Sequence, residues 1–428
     1  MLLRVRNGKV FRDGVFRQED ILFSGGVVAP VSTQGPSISI DARNMVVFPG
    51  FADVHVHLRE PGFSYKETIR SGTAAAARGG YTALCSMPNL SPVPEDGETL
   101  RCQEEAIARS ALVAVHPYGA ITRGERGEEL ADMEAMARRV VAFSDDGKGV
   151  QSESRMRQAM EEARRLGKMI VAHCEDETLL RGGYIHDGAY ARSHGHRGIC
   201  RESEWRQVER DLRLVRETGC AYHVCHVSTA ESVALIRRAK SEGLDVSCET
   251  APHYLLLTEE ELREEGRFKM NPPLREKRDR DALREGILDG TVDMIATDHA
   301  PHTAEEKGRG LEKSLMGVVG LETAFPLLYT YLVKPGLLTL ERLTELLCTA
   351  PRRRFRLGGG ELCEGGEASF TVFDLPDSYT IDPAEFLSMG RSTPFEGWRV
   401  WDDTPGPFVR AAVVDDKGRM AWTQPIYY

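Results

Sequence analysis

The chain has no run of eighteen apolar residues, so no segment reads as a membrane-spanning helix. Its nine cysteines include no Cys-x-x-Cys pair, which removes the zinc ribbon and the thioredoxin-type redox motif. Their number is odd, and Cys85, Cys174, Cys225 and Cys248 sit inside apolar strand-like runs, as reduced core thiols do. Positive charge is in deficit. With 55 Lys and Arg against 65 Asp and Glu, the formal charge of -10 argues against non-specific binding to nucleic acid or an anionic membrane. An anionic substrate would therefore need a local basic pocket. Low-complexity tracts and internal repeats are lacking too. The opening Met1-Leu2-Leu3-Arg4-Val5-Arg6 has no apolar core of signal-peptide length. The expectation is a soluble cytoplasmic protein.

What is present is enough chain, 428 residues at 41% hydrophobic, for a large α/β barrel and an accessory unit. Both ends read as β. Asn7-Gly8 and Asp13-Gly14 are hairpin dipeptides between runs such as Leu3 to Val5 and Lys9 to Phe11. Ser369 to Leu375 is a strand candidate, and Val413-Val414 and Met420 to Trp422 flank a turn at Asp415 to Gly418. The organisation predicted is a small β-sandwich domain built from residues 1–48 and 355–428 around a (β/α)8 TIM-like barrel at 49–354. Eight barrel strands are expected: Gly50 to Leu58, Tyr81 to Met87, Leu112 to Ile121, Val140 to Ser144, Met169 to His173, Ala221 to His226, Asp245 to Thr250 and Val292 to Thr297. Helix signals lie between them. Ser228-x-x-Glu231 reads as a capping box opening Ser228 to Glu242, and Gly290 closes Glu276 to Asp289. Gly358-Gly359-Gly360 lacks the Lys-Ser/Thr and helix of a phosphate loop and reads as a turn.

Polar residues gather at the C-terminal ends of these strands, where barrel active sites assemble. In Asp53-Val54-His55-Val56-His57, residues two apart share a face, so both imidazoles aim at one point while Val54 and Val56 take the opposite, apolar side. Later strand ends add Asn89, Asp145-Asp146-Gly147, His173-Cys174-Glu175-Asp176, His223 and His226, and Thr297-Asp298-His299-Ala300-Pro301-His302. Four histidines (His55, His57, His173, His226) with Asp146 and Asp298 exceed the needs of one tetrahedral zinc and suit two metals sharing a carboxylate. Such a centre lowers the pKa of water, and Asp298 is the natural group to pass a proton to a leaving nitrogen.

These segments resemble the dihydroorotases of the amidohydrolase superfamily. Asp53 to Pro61 looks like that family's first signature, and Ala296 to His302 followed by Lys307 like its second. The likeness continues through Ala83 to Asn89, Val171 to Asp176, His223 to Ser228 and Lys269 to Arg275. It implies metal ligands at His55, His57, Asp146, His173, His226 and Asp298. It also implies Zn2+, two per subunit, and substrate contacts at Arg59, Asn89, Asn271, His302 and the backbone around Met316-Gly317. An arginine at 59 suits a bidentate clamp on a substrate carboxylate. The chain departs from the family at Leu315-Met316-Gly317, where relatives carry Pro-Phe-Gly, which puts that side of the substrate pocket in question. No lysine lies on the fourth strand, Val140 to Ser144, so the likeness is to the type with an aspartate in place of a carbamylated lysine. Asp146 aligns with that position better than Asp145.

The activity implied is reversible hydrolysis of L-dihydroorotate to N-carbamoyl-L-aspartate in de novo pyrimidine synthesis, with Asp298 catalytic. Alternatives are another cyclic amidase, a hydantoinase or allantoinase, or a non-catalytic scaffold of aspartate transcarbamoylase. A homodimer, and association with aspartate transcarbamoylase, follow from the resemblance alone. The remaining histidines are expected to be structural: His194-Gly195-His196 as a solvent-exposed polar loop, His186, His116 and His253 with no better case, and His223 and His299 supporting the metal shell. Thr303 to Lys313 is long for a βα connection and reads equally as a lid or as a surface loop.

Overall fold

The computed structural model describes residues 2–375, 378–401, 411–414 and 420–422. Each of the eight expected central segments contains a strand. In chain order they are Phe51–Val56, Tyr81–Ser86, Ala114–Pro117 with Gly119–Ala120, Phe143–Ser144, Met169–Ala172, Ala221–Val224, Val246–Thr250 and Met294–Ile295. All pairings between neighbours are parallel. The third segment is broken at Tyr118. Its first part pairs with the second strand and its second part with the fourth, while the buried Tyr118 hydroxyl donates to Val54 O at 2.7 Å. The first and last strands meet beyond their ends, through a parallel bridge between Val56 and His299 and a hydrogen bond from His57 N to His299 O at 2.9 Å.

Helices fill the connections, and their ends follow local chemistry. Ile69–Arg78 starts in a Thr68/Ser71 capping box. Glu202–Thr218 and Lys277–Asp289 each stop at a left-handed glycine, Gly219 and Gly290. One expected cap is displaced. The helix is Ala230–Ser241, capped by Thr229, whose side chain accepts from Ser232 N. Ser228 instead hydrogen-bonds the buried Glu204 through its amide, at 3.2 Å, and its hydroxyl, because a carboxylate from a neighbouring helix competes for it.

The chain ends share one sheet, in the order Met420–Trp422, Ala411–Val414, Ser369–Phe373, Val46–Pro49, Leu2–Arg12, Val15–Ser24, Val27–Ala29, with Ser37–Asp41 also pairing along Leu2–Arg12. Asp13-Gly14 is a two-residue hairpin turn with both φ positive, at 51° and 77°. Asn7-Gly8 is not a turn. Leu2–Arg12 runs straight through it as one strand, and Asn7, at φ 60°, marks a register shift between Val5 and Gly8. Ala411–Val414 and Met420–Trp422 pair antiparallel as expected of a hairpin, whereas its turn lies outside the described residues.

Apolar packing divides where the first strand is irregular. Register shifts between Asp53 and Val56, so the two valines do not share a face. Val54 joins an inner cluster with Tyr118, Val171, Met294 and Phe355, and Val56 joins the main core outside it.

Arg352 ties the central strands to the terminal sheet. Its buried guanidinium donates to Gly50 O at 2.9 and 3.1 Å, Thr82 Oγ1 at 2.6 Å and Ser369 Oγ at 3.3 Å, and also to Gly358 O. Replacing it with methionine keeps the stem and removes every donor. We expect Arg352→Met to cost roughly 2–4 kcal/mol, read as a lowered denaturation midpoint; an unchanged midpoint would show that the acceptors find other partners.

Candidate active site

His55 and His57 leave the first strand at its C-terminal end, and each has its outer ring nitrogen fixed. His55 Nδ1 donates to Glu249 Oε1 at 2.8 Å. The other oxygen of Glu249 takes His223 Nε2 at 3.2 Å, and His223 Nδ1 is 2.7 Å from Ser247 Oγ. His57 Nδ1 donates to Asn89 Oδ1 at 2.9 Å. In both rings the Nε2 atom is left facing inward, toward the carboxylates of Asp146 and Asp298.

Those inward nitrogens meet Asp146. His55 Nε2 lies 3.3 Å from its Oδ1 and His57 Nε2 3.4 Å from its Oδ2. On the other side, His226 Nε2 is 3.6 Å and His173 Nδ1 3.8 Å from Oδ1, with these two ring nitrogens 3.0 Å apart. Asp298 Oδ1 closes the group, 3.1 Å from His57 Nε2 and 3.5 Å from His55 Nε2. All six side chains are buried. Asp145 takes no part: it accepts from Ile121 N at 2.8 Å and Thr122 N at 3.0 Å and is a structural carboxylate.

Two buried atoms in this cluster, His55 Nε2 and Asp146 Oδ1, have no hydrogen-bond partner. Buried polar atoms are rarely left so, and the donor set of imidazole and carboxylate is that of zinc, manganese or cobalt. Asp146 completes two ligand groups at once, with His55 and His57 and with His173 and His226. The residues therefore fit divalent metal, with Asp146 placed to be shared.

Electrostatics agree. Burial pushes Asp298 up, but the hydrogen bond from His57 and the charges of His55 and its neighbours outweigh it and hold the carboxyl at about 2. Burial likewise raises Glu249, and its bonds from His223 and His55 bring it to about 2. Both are carboxylates at neutral pH. The backbone is also held in an uncommon conformation here, with φ of 32° at His226, 48° at Asp298 and 61° at Arg59. Non-glycine residues in this region cost about 1–3 kcal/mol each and concentrate at functional sites.

The expected substrate-contact residues lie beside the cluster in varied states. Arg59 Nε donates to Pro301 O at 3.2 Å, and its Nη2 is 3.5 Å from His302 Nε2. His302 points Nε2 at Met316 O, 2.8 Å away, and Lys66 Nζ stands 3.3 Å from Nδ1. Burial first, then Arg59 and Lys66, push His302 down to about 3, so it is neutral. Asn89 has committed its carbonyl to His57, leaving its amide. Asn271 is the reverse: its amide donates to Glu175 Oε2 at 3.1 Å, while its buried Oδ1 is unpartnered. The Met316 side chain packs against the main core. At Gly317, φ is 132° and a Cβ would stand 2.8 Å from Ala300 O, so no side chain fits.

Among the other histidines, only His196 departs from the expected solvent exposure. His194 is exposed, but His196 is half-buried and bonded to Tyr184 Oη at 2.7 Å and Glu264 Oε1 at 2.8 Å. His186 and His253 are buried; His186 lies 3.3 Å from Arg275 Nη1. The His299 ring turns to Glu67, 3.4 Å away, and it is its carbonyl that meets His57. Thr303 to Lys313 is folded into two short helices, Ala304–Lys307 and Gly310–Lys313, and pinned by the buried Lys307 ammonium donating to Lys269 O at 3.0 Å and Leu315 O at 2.7 Å.

Sequence reasoning passed over Glu249 and Lys66, and named Glu175 at its strand end without giving it a role. Glu249 had a signal: an acid inside an expected barrel strand, two residues from Ser247 on one face, is buried only if paired. Lys66 had none.

Comparison with known proteins points one way. A family model described as Dihydro-orotase-like matches residues 44–232. The dihydroorotase of Bacillus caldolyticus is 47% identical over 422 residues, 97% of this chain and 99% of that protein. That of Staphylococcus aureus (strain N315) is 48% identical over 404 residues, 93% and 95% of the two chains. Among solved structures, an L-hydantoinase (dihydropyrimidinase) from Arthrobacter aurescens superposes with a TM-score of 0.85 at 28% identity, covering 99% of this chain and 98% of that one. A dihydropyrimidinase from Brevibacillus agri, at 22% identity and TM-score 0.84 over all of both chains, shows the same fold.

Because Glu249 fixes the ring of His55, Glu249→Ala is expected to weaken metal binding about 10- to 100-fold in competition with a chromophoric chelator. Glu249→Gln, which keeps one acceptor, should lose less. Equal retention of metal by wild type and both variants would show that His55 needs no such support.

Proposed function

The chain belongs to the dihydroorotase family, and we propose that it catalyses reversible hydrolysis of the cyclic amide L-dihydroorotate to N-carbamoyl-L-aspartate, with ring closure as its direction in pyrimidine biosynthesis. The observation that carries this reading is the convergence of four imidazoles on Asp146 with two buried donor atoms unsatisfied, beside Arg59. His55, His57, Asp146, His173, His226 and Asp298 would hold the metal, zinc at two per subunit, with Asp146 shared. A divalent metal bound there supplies Lewis acidity and lowers the pKa of water.

The chain's own groups do the rest. Asp298, ionised and oriented by His57, takes the proton from the attacking water and returns it to the ring nitrogen as the amide breaks. In ring closure it accepts that proton from the ureido nitrogen. Arg59 presents its guanidinium to the substrate carboxylate, a match in shape as well as charge. Asn271 Oδ1 is an acceptor for a substrate N–H, and the Asn89 amide a donor. His302, neutral, donates through Nε2 to Met316 O and so ties the Arg59 side of the site to Met316-Gly317, while Pro301 O holds the guanidinium.

Two features favour dihydroorotate over a hydantoin or allantoin: the fourth strand offers serine and aspartate where a carbamylated lysine would stand, and Arg59 awaits an acid. The retained ligand set weighs against a non-catalytic scaffold.

For the architecture, we read the eight parallel strands joined at Val56 and His299 as a closed (β/α)8 barrel, residues 49–354. Residues 1–48 and 355–428 would form a β-sandwich domain, with 378–401 reaching back onto the barrel through Leu387 N to Glu322 at 2.9 Å. All nine cysteines are free, which suits the reducing cytoplasm. No helix among the described residues is long and apolar enough to cross a membrane. A homodimer and a complex with aspartate transcarbamoylase complete the reading; both are checked by gel filtration with and without that enzyme.

Ultraviolet absorbance of L-dihydroorotate with metal-replete protein should fall rapidly, with hydantoin untouched. Asp298→Ala should slow turnover by about 10²- to 10⁴-fold. Absence of turnover despite bound metal would favour the scaffold. Arg59→Lys should raise KM for dihydroorotate about tenfold or more, since an ammonium cannot fork to a carboxylate; an unchanged KM would remove Arg59 from the substrate site.

A further inference from the structure

At the opposite, N-terminal ends of the central strands lies a cavity of about 510 Å³ that the amide chemistry does not use. It opens where Ala114–Pro117, Met169–Ala172 and Ala221–Val224 begin, whereas His173 and His226 sit beyond the far ends of their strands. Although the chain is acidic overall, this cavity is lined by Arg138, Arg139, Arg164, Lys168, Arg354 and Arg356 against one carboxylate, Asp245.

Four of these cations have structural partners. Arg139 grips Glu104, with Nε to Oε1 at 2.9 Å, and Arg354 pairs with Asp245. Arg164 donates to Thr218 O, and Lys168 Nζ to Val140 O at 2.6 Å. The side chains of Arg138 and Arg356 have no hydrogen bond or ion pair among the described residues, and Arg354 Nε is buried without a partner. Arg356 is moreover held in a left-handed conformation, φ 56°, as the cap of Ala350–Phe355, which places it at the cavity. Crowding like charges destabilises the compact state unless an anion offsets it. Beneath them the lining is apolar, from Val140, Val141, Met169, Phe355 and Leu357.

We propose that this cavity binds a small phosphate-bearing molecule with an apolar or aromatic part, of the nucleotide class. Guanidinium forks match phosphate oxygens in pairs, and the volume lies in the range of small-molecule sites, about 300–1,000 Å³. The cations come from separate elements: the turn after Met133–Met136, the end of Glu153–Arg165 and the residues that follow it, and the end of Ala350–Phe355. They converge around a concavity, which suits a compact ligand better than an extended acidic segment.

The test is calorimetric titration of the full chain with ATP and inorganic pyrophosphate, adenosine serving as the uncharged control. The double variant Arg138→Ala/Arg356→Ala removes the two unpaired cations, and Arg192→Ala, an exposed arginine elsewhere, controls for the loss of an arginine outside the cavity. Saturable binding of ATP and pyrophosphate, not adenosine, is expected, weakened at least about tenfold in the double variant alone. Neither variant should lower the melting temperature or change dihydroorotate turnover, so this outcome is independent of the amide chemistry. Equal affinity in wild type and double variant, equal binding of adenosine, or no saturable binding overturns the proposal.

Discussion

The burial of Asp146 among four imidazoles is the constraint around which the rest is arranged. An unpaired carboxylate in such a place costs several kcal/mol. Here the inward ring nitrogens of His55, His57, His173 and His226 surround it from three strand ends. Each ring can serve only if its other nitrogen is spoken for. Glu249 and Asn89 do this for the first pair, and Glu175 stands 3.6 Å from the outer nitrogen of His173. The parallel strands make this possible, because they bring residues distant in the chain to one rim.

Much of this was legible in the sequence where the signal was local. The central strands announced themselves as short apolar runs between helix signals, and the Asp13-Gly14 turn by its dipeptide. Strand ends carrying His, Asp and Asn marked the rim. Asp146 was separable from Asp145 only through resemblance; the structure adds the physical reason, since Asp145 spends Oδ1 on the amides of Ile121 and Thr122 and Oδ2 on the Thr122 hydroxyl.

What escaped was non-local. Asn7-Gly8 has the composition of a turn, yet it lies within a strand because Val15–Ser24 runs alongside both halves of Leu2–Arg12. Ser228 had every local reason to cap a helix and was taken by Glu204, 24 positions away. The split of Val54 and Val56 between two cores comes from a shift against the neighbouring strand, which no alternation rule can register. Asn89 and Asn271 were expected at the substrate; each has one end of its amide engaged by the protein, and such a division of labour depends on partners 32 and 96 residues away.

The inner apolar cluster has a consequence of its own. Phe355, which forms the floor of the basic cavity, packs its ring edge-on to His223 at 5.1 Å, and His223 bonds the same Glu249 that holds His55. The interior is thus a packed column rather than a hollow, with one face of the molecule resting mechanically on the other. Sequence change at the far mouth is therefore not free to drift: whatever replaces Phe355 must preserve the shape on which an imidazole at the opposite end is seated.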